Sequence, residues 1–346
     1  MKIVGCDFHP GHQQIAVVDT LSGEVSELKL SHQDGHAERF YRELEAPALI
    51  GIEAVGNSQW FVDLAERLGH QVWIGNAAEI RASYVRKQKT DKRDAGHILK
   101  LLLEGRFPRI WVPDAGQRDV RQMLIHRHKL VQMRTRIKTE LQHLAMNQGV
   151  QKKRCLWNSL GRAELQKLPL QGWTAKRRED LLRLLAMLEE QVGSLDEAVE
   201  RSAEQSAQAR LLMTQPGVGP ITALAFVVTI GDASRFKRGK QVASYLGLIP
   251  SERSSGSKRR LGAISKQGNV FLRTLLVEAA QSAVRFDEGL GKQYRHHCHH
   301  KPKGVGKVAV ARKLAVRLFW MLRTQTPYPQ IVNHEGSPSH SVVSAS

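Results

Sequence analysis

Residues 48–55, ALIGIEAV, form an almost unbroken apolar run with one carboxylate, Glu53, inside it. A half-exposed strand alternates apolar and polar side chains. An unbroken run reads as a strand buried on both faces, which needs a central place in a sheet with helices on each side. The neighbouring segments fit that demand. KIVGCDFH reads as a second buried strand and QQIAVVDT as its partner across the turn PGH. GEVSELKLS alternates like a half-exposed third strand, and QVWIGN closes the series. Helical spacing covers 33–45 through Phe40, Tyr41 and Leu44, and residues 58–69, 77–86 and 91–104 also read as helices.

The resulting order is β-β-β-α-β-α-β-α. Three meandering strands followed by βα units is the layout of a ribonuclease H-like α/β domain. A doubly wound dinucleotide fold would begin βαβ with a glycine-rich first turn. Pro108 and Pro113 then break the pattern as a linker. Residues 115–147 carry apolar side chains at helical steps (Val120, Leu124, Leu130, Met133, Ile137, Leu141), and 176–213 does the same through Leu181, Leu185, Leu188, Val192 and Leu195. Two long amphipathic helices suit an antiparallel pair or a coiled-coil oligomer, and equally a bundle within one chain. PGVGP, with Gly217 and Gly219, resembles a helix-hairpin-helix turn whose backbone amides hold a DNA phosphate; a plain capping loop would read the same. Helical segments at 271–285 and 306–323 make the last domain mostly α. The expected domains are 1–113 (ribonuclease H-like), 114–205 (long-helix or coiled-coil assembly region), 206–325 (C-terminal domain) and an unordered tail at 326–346.

The chain holds 52 Lys and Arg against 33 Asp and Glu, a net charge of +19. Such an excess serves a polyanion. An anionic membrane surface is the competing partner, but no apolar run is long enough to span a bilayer and the N-terminus lacks a signal pattern, so the expected address is the cytoplasm or the nucleoid. Cys6, Cys155 and Cys298 are too dispersed for a disulfide scaffold or a four-thiolate zinc site. HHCHH at 296–300, flanked by Arg295 and Lys301, reads as a solvated or nucleic-acid-facing basic loop rather than a zinc site.

KTDKRDA sets Asp91 and Asp94 on one helical face among Lys89, Lys92 and Arg93. Alone, this pair reads as an N-terminal cap. Asp7 and Glu53 change the weighing, because a carboxylate inside a buried strand is costly unless paired or bound to metal. In a ribonuclease H-like sheet those two strands are adjacent and a later helix crosses their ends. Four converging carboxylates would repel one another without divalent cations, and hard oxygen ligands suit Mg²⁺ or Mn²⁺. The flanking bases would then meet the nucleic-acid backbone.

Asp7 in GCDFH, Glu53 in IEAVGNSQW, and Asp91 with Asp94 in KTDKRDA resemble the four-acid signature of the DEDD transposases of bacterial insertion sequences, the IS110 type, whose N-terminal domain is similar to the RuvC junction resolvase. PGVGPITA, YLGLIP and SSGSKRRLGAISKQGN resemble the second domain of that family. The resemblance implies a DNA recombinase with a serine nucleophile in a Ser-Gly motif. That motif falls on Ser255-Gly256, with Ser254 and Ser257 as neighbouring registers. Arg253, Lys258, Arg259, Arg260 and Lys266 are candidate phosphate contacts nearby. The resemblance further implies a homo-oligomer, dimer or tetramer, in which the acids of one protomer approach the serine of another, and a non-coding guide RNA bridging element and target DNA. Three other readings compete: a junction-type endonuclease using the acids and water without a serine nucleophile, a non-catalytic nucleic-acid-binding protein, and a sugar-kinase or actin-like ATPase, which lacks support from a second phosphate loop.

Overall fold

The computed structural model describes residues 1–84, 91–151, 155–252 and 260–335, leaving aside the side chains of Asp91 and of 332–335. Two compact units result, Met1–Val112 and Pro113–Ser346.

In the first unit the strands are β1 (Lys2–Phe8), β2 (His12–Asp19), β3 (Val25–Ser31), β4 (Leu49–Glu53) and β5 (Gln71–Gly75). The helices are α1 (His36–Glu43), α2 (Gln59–Arg67), α3 (Ala77–Ala82) and α4 (Asp91–Leu103). The sheet order is β3-β2-β1-β4-β5. β1, β2 and β3 pair antiparallel, while β1–β4 and β4–β5 pair parallel. The sheet is therefore mixed, and the apolar run at β4 lies inside it, with Ile50 and Ile52 fully buried. The two-residue period of the strands divides the core. Val4, Cys6, Ile50 and Ile52 face Tyr41 and Phe61 of α1 and α2, whereas Ile3 and Ala16 face Ala95, Ile98 and Leu99 of α4.

The α4 face depends on two missing side chains. Gly5 and Gly51 are register partners on β1 and β4. A Cβ on Gly5 would come within 2.4 Å of the Ala95 carbonyl oxygen and the Leu99 amide, and one on Gly51 within 2.7 Å of Leu102. Helix α4 thus lies with its backbone directly on the strands. The helix expected over 77–86 stops earlier: α3 ends at Ala82, and Ser83 closes it by donating its hydroxyl to the Ile80 carbonyl at 2.6 Å.

The second unit is mostly helical. α5 (Ala115–Asn147) begins at Asp114, whose side chain accepts from the Gln117 amide at 2.8 Å. α6 (Ser159–Gln166) leads into α7 (Gly172–Gln205). α5 and α7 run antiparallel within the chain, joined by Leu141, Leu144, Leu181 and Leu185 and by ion pairs Arg127–Asp196 and Arg177–Glu140. The helical reading of 176–213 needs a correction. Ser206 adopts extended backbone and caps a new helix, α8 (Ala207–Met213), by accepting from the Ala209 amide. Ser competes for backbone hydrogen bonds, so it starts helices better than it continues them.

α9 (Pro220–Ile230), α10 (Gly239–Tyr245), the hairpin β6 (Pro250–Glu252) and β7 (Leu261–Ile264), α11 (Val270–Phe286), α12 (Glu288–His300), α13 (Lys303–Thr324) and α14 (Tyr328–Glu335) complete the unit. α9, α11 and α13 supply most of one core. Two expectations fail here. HHCHH is the end of helix α12, not a loop, because α12 packs on α13 closely enough that a Cβ on Gly306 would sit 2.7 Å from Cys298 Sγ. Residues 328–335, expected to be unordered, form α14, whose Ile331 is buried and whose Tyr328 amide donates to Thr214 Oγ1 at 3.0 Å.

Asp287 and Arg317, each 2% exposed, form an ion pair linking the start of α12 to α13. Asp287 also caps α12 by accepting from the Leu290 amide at 2.8 Å. Removing one member of such a pair leaves the other charge buried, so Asp287→Ala should cost about 3–5 kcal/mol of unfolding free energy in urea denaturation. Burial alone would raise the Asp287 pKa, but the Leu290 amide and the Arg317 charge outweigh it and hold the carboxyl below its usual value. A depressed folded pKa adds stability that is present above the unfolded carboxylate value and lost as pH falls through the folded one. Asp287→Ala should therefore flatten the acid limb of the stability curve. Equal acid sensitivity in both proteins would contradict this role.

Candidate active site

β1 and β4 pair in parallel with Cys6 opposite Ile52, so the next residues, Asp7 and Glu53, stand side by side where the strands end. The two-residue period puts both on the face that Gly5 and Gly51 open to α4. α4 seats Ala95 on Gly5, which brings Asp94, the preceding residue, to the same strand ends. Asp94 is only 7% exposed. Asp91 begins α4 one turn earlier.

Each described carboxylate has a partner. Asp7 Oδ2 lies 3.1 Å from His9 Nε2, and the His9 ring stacks on His12 at 4.8 Å. Glu53 pairs with the exposed Arg81 guanidinium of α3 at 3.3 Å. Tyr84 donates its hydroxyl to Asp94 Oδ1 at 2.5 Å. That phenol is pushed well above its ordinary pKa, first by burial, then by the hydrogen bond to Asp94, then by the charges of Asp94, Asp7 and Glu53. Tyr84 therefore sits in the field of all three carboxylates and keeps its proton. His97 packs on the Tyr84 ring at 4.1 Å and touches Ser83 Oγ through Nε2 at 2.7 Å. Burial lowers the His97 pKa, which favours the neutral ring.

Among the described residues, no three His, Cys, Asp or Glu side chains come close enough to hold one ion. The donor chemistry still fits a hard cation: oxygen ligands on two adjacent strand ends, with a nearly buried carboxylate beside them. Of the bases expected to hold phosphate here, Lys92 is exposed and lies 3.7 Å from Glu27 of β3, Arg93 is exposed, and Lys89 lies outside the described residues. Tyr84, His97, His9 and Arg81 were missed by sequence reasoning. No periodicity marks them: Arg81 is an exposed residue of α3, His97 meets Tyr84 from within α4, and Tyr84 and His9 lie just past the ends of α3 and β1.

A second constellation lies in the other unit. Arg253, Ser254, Ser255, Ser257, Lys258 and Arg259 lie outside the described residues, in the segment joining β6 to β7. The support for that hairpin is described. YLGLIP and ISKQGN cross backbone to backbone. Gly247, with φ of 64°, would put a Cβ 2.3 Å from the Gln267 carbonyl oxygen, and Gly268, with φ of 71°, would put one 2.1 Å from that of Tyr245. Only glycine fits either place. The Ser265 amide donates to the Ile249 carbonyl at 2.8 Å. Buried Arg273 fastens the crossing by donating to the Leu246 carbonyl at 3.1 Å and to that of Gln267. Lys266 and Arg260 are exposed at its edges. Gly219 is exposed and caps α9, while Gly217 packs on α11, where a Cβ would lie 2.6 Å from the Ala283 amide.

Comparison with known proteins finds family matches in both units. A transposase family model, the DEDD transposases of IS110 elements, matches residues 4–147. A second, described as the transposase IS116/IS110/IS902 family, matches residues 209–295. A probable family 20 transposase of Pseudomonas aeruginosa is 30% identical over 303 residues, covering 84% of this chain and 88% of the relative. The transposase for insertion sequence element IS1111A of Coxiella burnetii is 31% identical over 211 residues, 58% of this chain and 57% of the relative. That for IS1328 of Yersinia enterocolitica is 26% identical over 295 residues, 81% and 84%.

Proposed function

The chain belongs to the IS110-type transposase family, and from that premise we propose that it cuts and rejoins DNA phosphodiesters with a four-carboxylate divalent-cation site and the Ser255 hydroxyl. One observation carries the reading: the β1–β4 register sets Asp7 and Glu53, far apart in sequence, side by side at adjacent strand ends, and the seat of α4 on Gly5 brings Asp94 to the same end. The strand order, three antiparallel strands beside a parallel pair, supports a ribonuclease H-like, RuvC-like first domain. No described helix is long and apolar enough to cross a membrane, and a net charge of +19 suits DNA as the partner.

Asp7 and Glu53, with Asp91 and Asp94 alongside, would hold Mg²⁺ or Mn²⁺. A bound ion there supplies positive charge for the phosphate oxygens and for the attacking and leaving oxygens. The remaining work belongs to the chain. Tyr84 and His9 fix the directions of Asp94 and Asp7. Ser255 Oγ attacks phosphorus, a serine–phosphate ester forms, and the bond from phosphorus to one deoxyribose oxygen breaks. The serine proton passes to a base and the released oxygen takes one up. A hydroxyl of the incoming strand then reverses the step and frees the serine. Arg253, Lys258, Arg259 and Arg260 would steady the phosphate. The reading includes a homo-oligomer, and a guide RNA would share the basic surface.

Strand exchange between DNA carrying the element ends and target DNA, with its guide RNA, tests the proposal. Exchange should stop on chelation and return with Mg²⁺. Exchange that persists in chelator would reject the cation site. Cleavage that never leaves DNA attached to protein would favour the junction-endonuclease alternative.

A further inference from the structure

A cleft of 1140 Å³ opens in the second unit between the β6–β7 hairpin and the α12–α13 pair. Leu248, Ile264, Val308 and Val316 make an aliphatic floor. Lys292, His296, His297, Lys301, Arg312 and Lys313 stand around it, and none of its described lining residues is acidic. Of the acids at the start of α12, Asp287 is engaged away from the cleft with Arg317, whereas Glu288 pairs with the wall residue Lys292 at 2.7 Å and offsets its charge, leaving Lys301, Arg312 and Lys313 as the cationic wall. Two histidines of HHCHH thus line the cleft, while Cys298 turns to Gly306.

We propose that this cleft holds an unpaired DNA strand next to the phosphodiester being exchanged. The inference rests on the transposase reading and adds a binding site to it. A basic wall calls for an anion. A duplex would offer its phosphates to that wall but nothing to an aliphatic floor, since its base faces are stacked away. An unpaired strand offers both, with phosphates for the lysines and arginine and apolar base faces for the floor. Position selects DNA over RNA. Pro250 of β6 and Leu261–Ile264 of β7 form one side of the cleft, and these strands flank the segment carrying Ser255. A strand whose phosphate meets that segment continues past the hairpin. To change partners it must first leave its old complement, so a place for unpaired bases is needed there.

Fluorescence anisotropy with labelled oligothymidine, matched duplex and single-stranded RNA tests this, using full-length Ser255→Ala protein in chelator. Because no exchange takes place, the result is separate from the fate of the nucleophile assignment. The double variant Lys301→Glu/Arg312→Glu should bind unpaired DNA about tenfold more weakly or worse, with the salt slope reduced by about 1.4, roughly 0.7 per phosphate contact. Val308→Trp should weaken unpaired DNA and leave the duplex unchanged. If substitution unfolds the chain, photocrosslinking of 4-thiothymidine DNA to the parent protein reads the same site and should label α12–α13 peptides. Unchanged affinity in the folded variants, equal loss for duplex and single strand, tighter binding of RNA than DNA, or crosslinks confined to other elements would overturn the proposal.

Discussion

Asp7→Asn and Glu53→Gln should each reduce strand exchange by about a thousandfold or more, ~4 kcal/mol of barrier at about 1.36 kcal/mol per decade. Neither should unfold the protein. Asp7 and Glu53 sit side by side on adjacent strand ends and carry like charge, so neutralising one relieves repulsion in the metal-free chain. The Arg81–Glu53 contact involves an exposed guanidinium, and such pairs contribute about 0–1 kcal/mol. Melting temperature should therefore hold or rise while exchange collapses, and DNA binding should survive. Asp94→Asn should behave alike, because an amide oxygen still accepts from Tyr84. A purely structural role would give the opposite pattern: lower melting temperature with exchange reduced only in proportion to folded protein.

Ser255→Ala is expected to abolish exchange and the covalent protein–DNA adduct while preserving DNA affinity. A hydroxyl attacking phosphorus cannot be replaced by a methyl group, and the residual rate would fall to that of uncatalysed attack by water. Ser254→Ala and Ser257→Ala should remain active. Adduct lost only in Ser254→Ala would move the assignment by one residue, and exchange surviving Ser255→Ala would reject the nucleophile. Arg259→Ala and Arg260→Ala test the setting of the serine. They should weaken binding with a shallower salt slope, because each removes a phosphate contact rather than a reacting group.

The first unit was legible because its signals are local. The apolar run at β4 and the helical spacing around Tyr41 each follow from a single period; the alternation at β3 marks a strand but not its burial, since Val25 and Leu28 are exposed and Leu30 is buried. What the period hid was contact between elements. Gly5 reads as one more small residue in an apolar strand, yet it is the seat on which α4 lies. Tyr84 read as a helical residue because nothing in RASYVRK marks Ser83 as a stop. HHCHH looked like a loop because α12 buries only Leu290 and Gly291 and so carries almost no apolar stripe. Its helix is held by α13 instead. Asp7 and Glu53 stand out by a different signal, the cost of charge in an apolar strand. The serine had no such signal. Its reading came wholly from resemblance, because a Ser/Gly-rich basic segment has no period of its own.

Divalent-ion binding tests the account at its root. Electron paramagnetic resonance of Mn²⁺ added to the chain on uncleavable DNA, compared with the Asp7→Asn/Glu53→Gln double variant on the same DNA, isolates what the carboxylates contribute. Saturable sites present in the parent and absent in the variant are the predicted result; identical binding curves for the two proteins would contradict it.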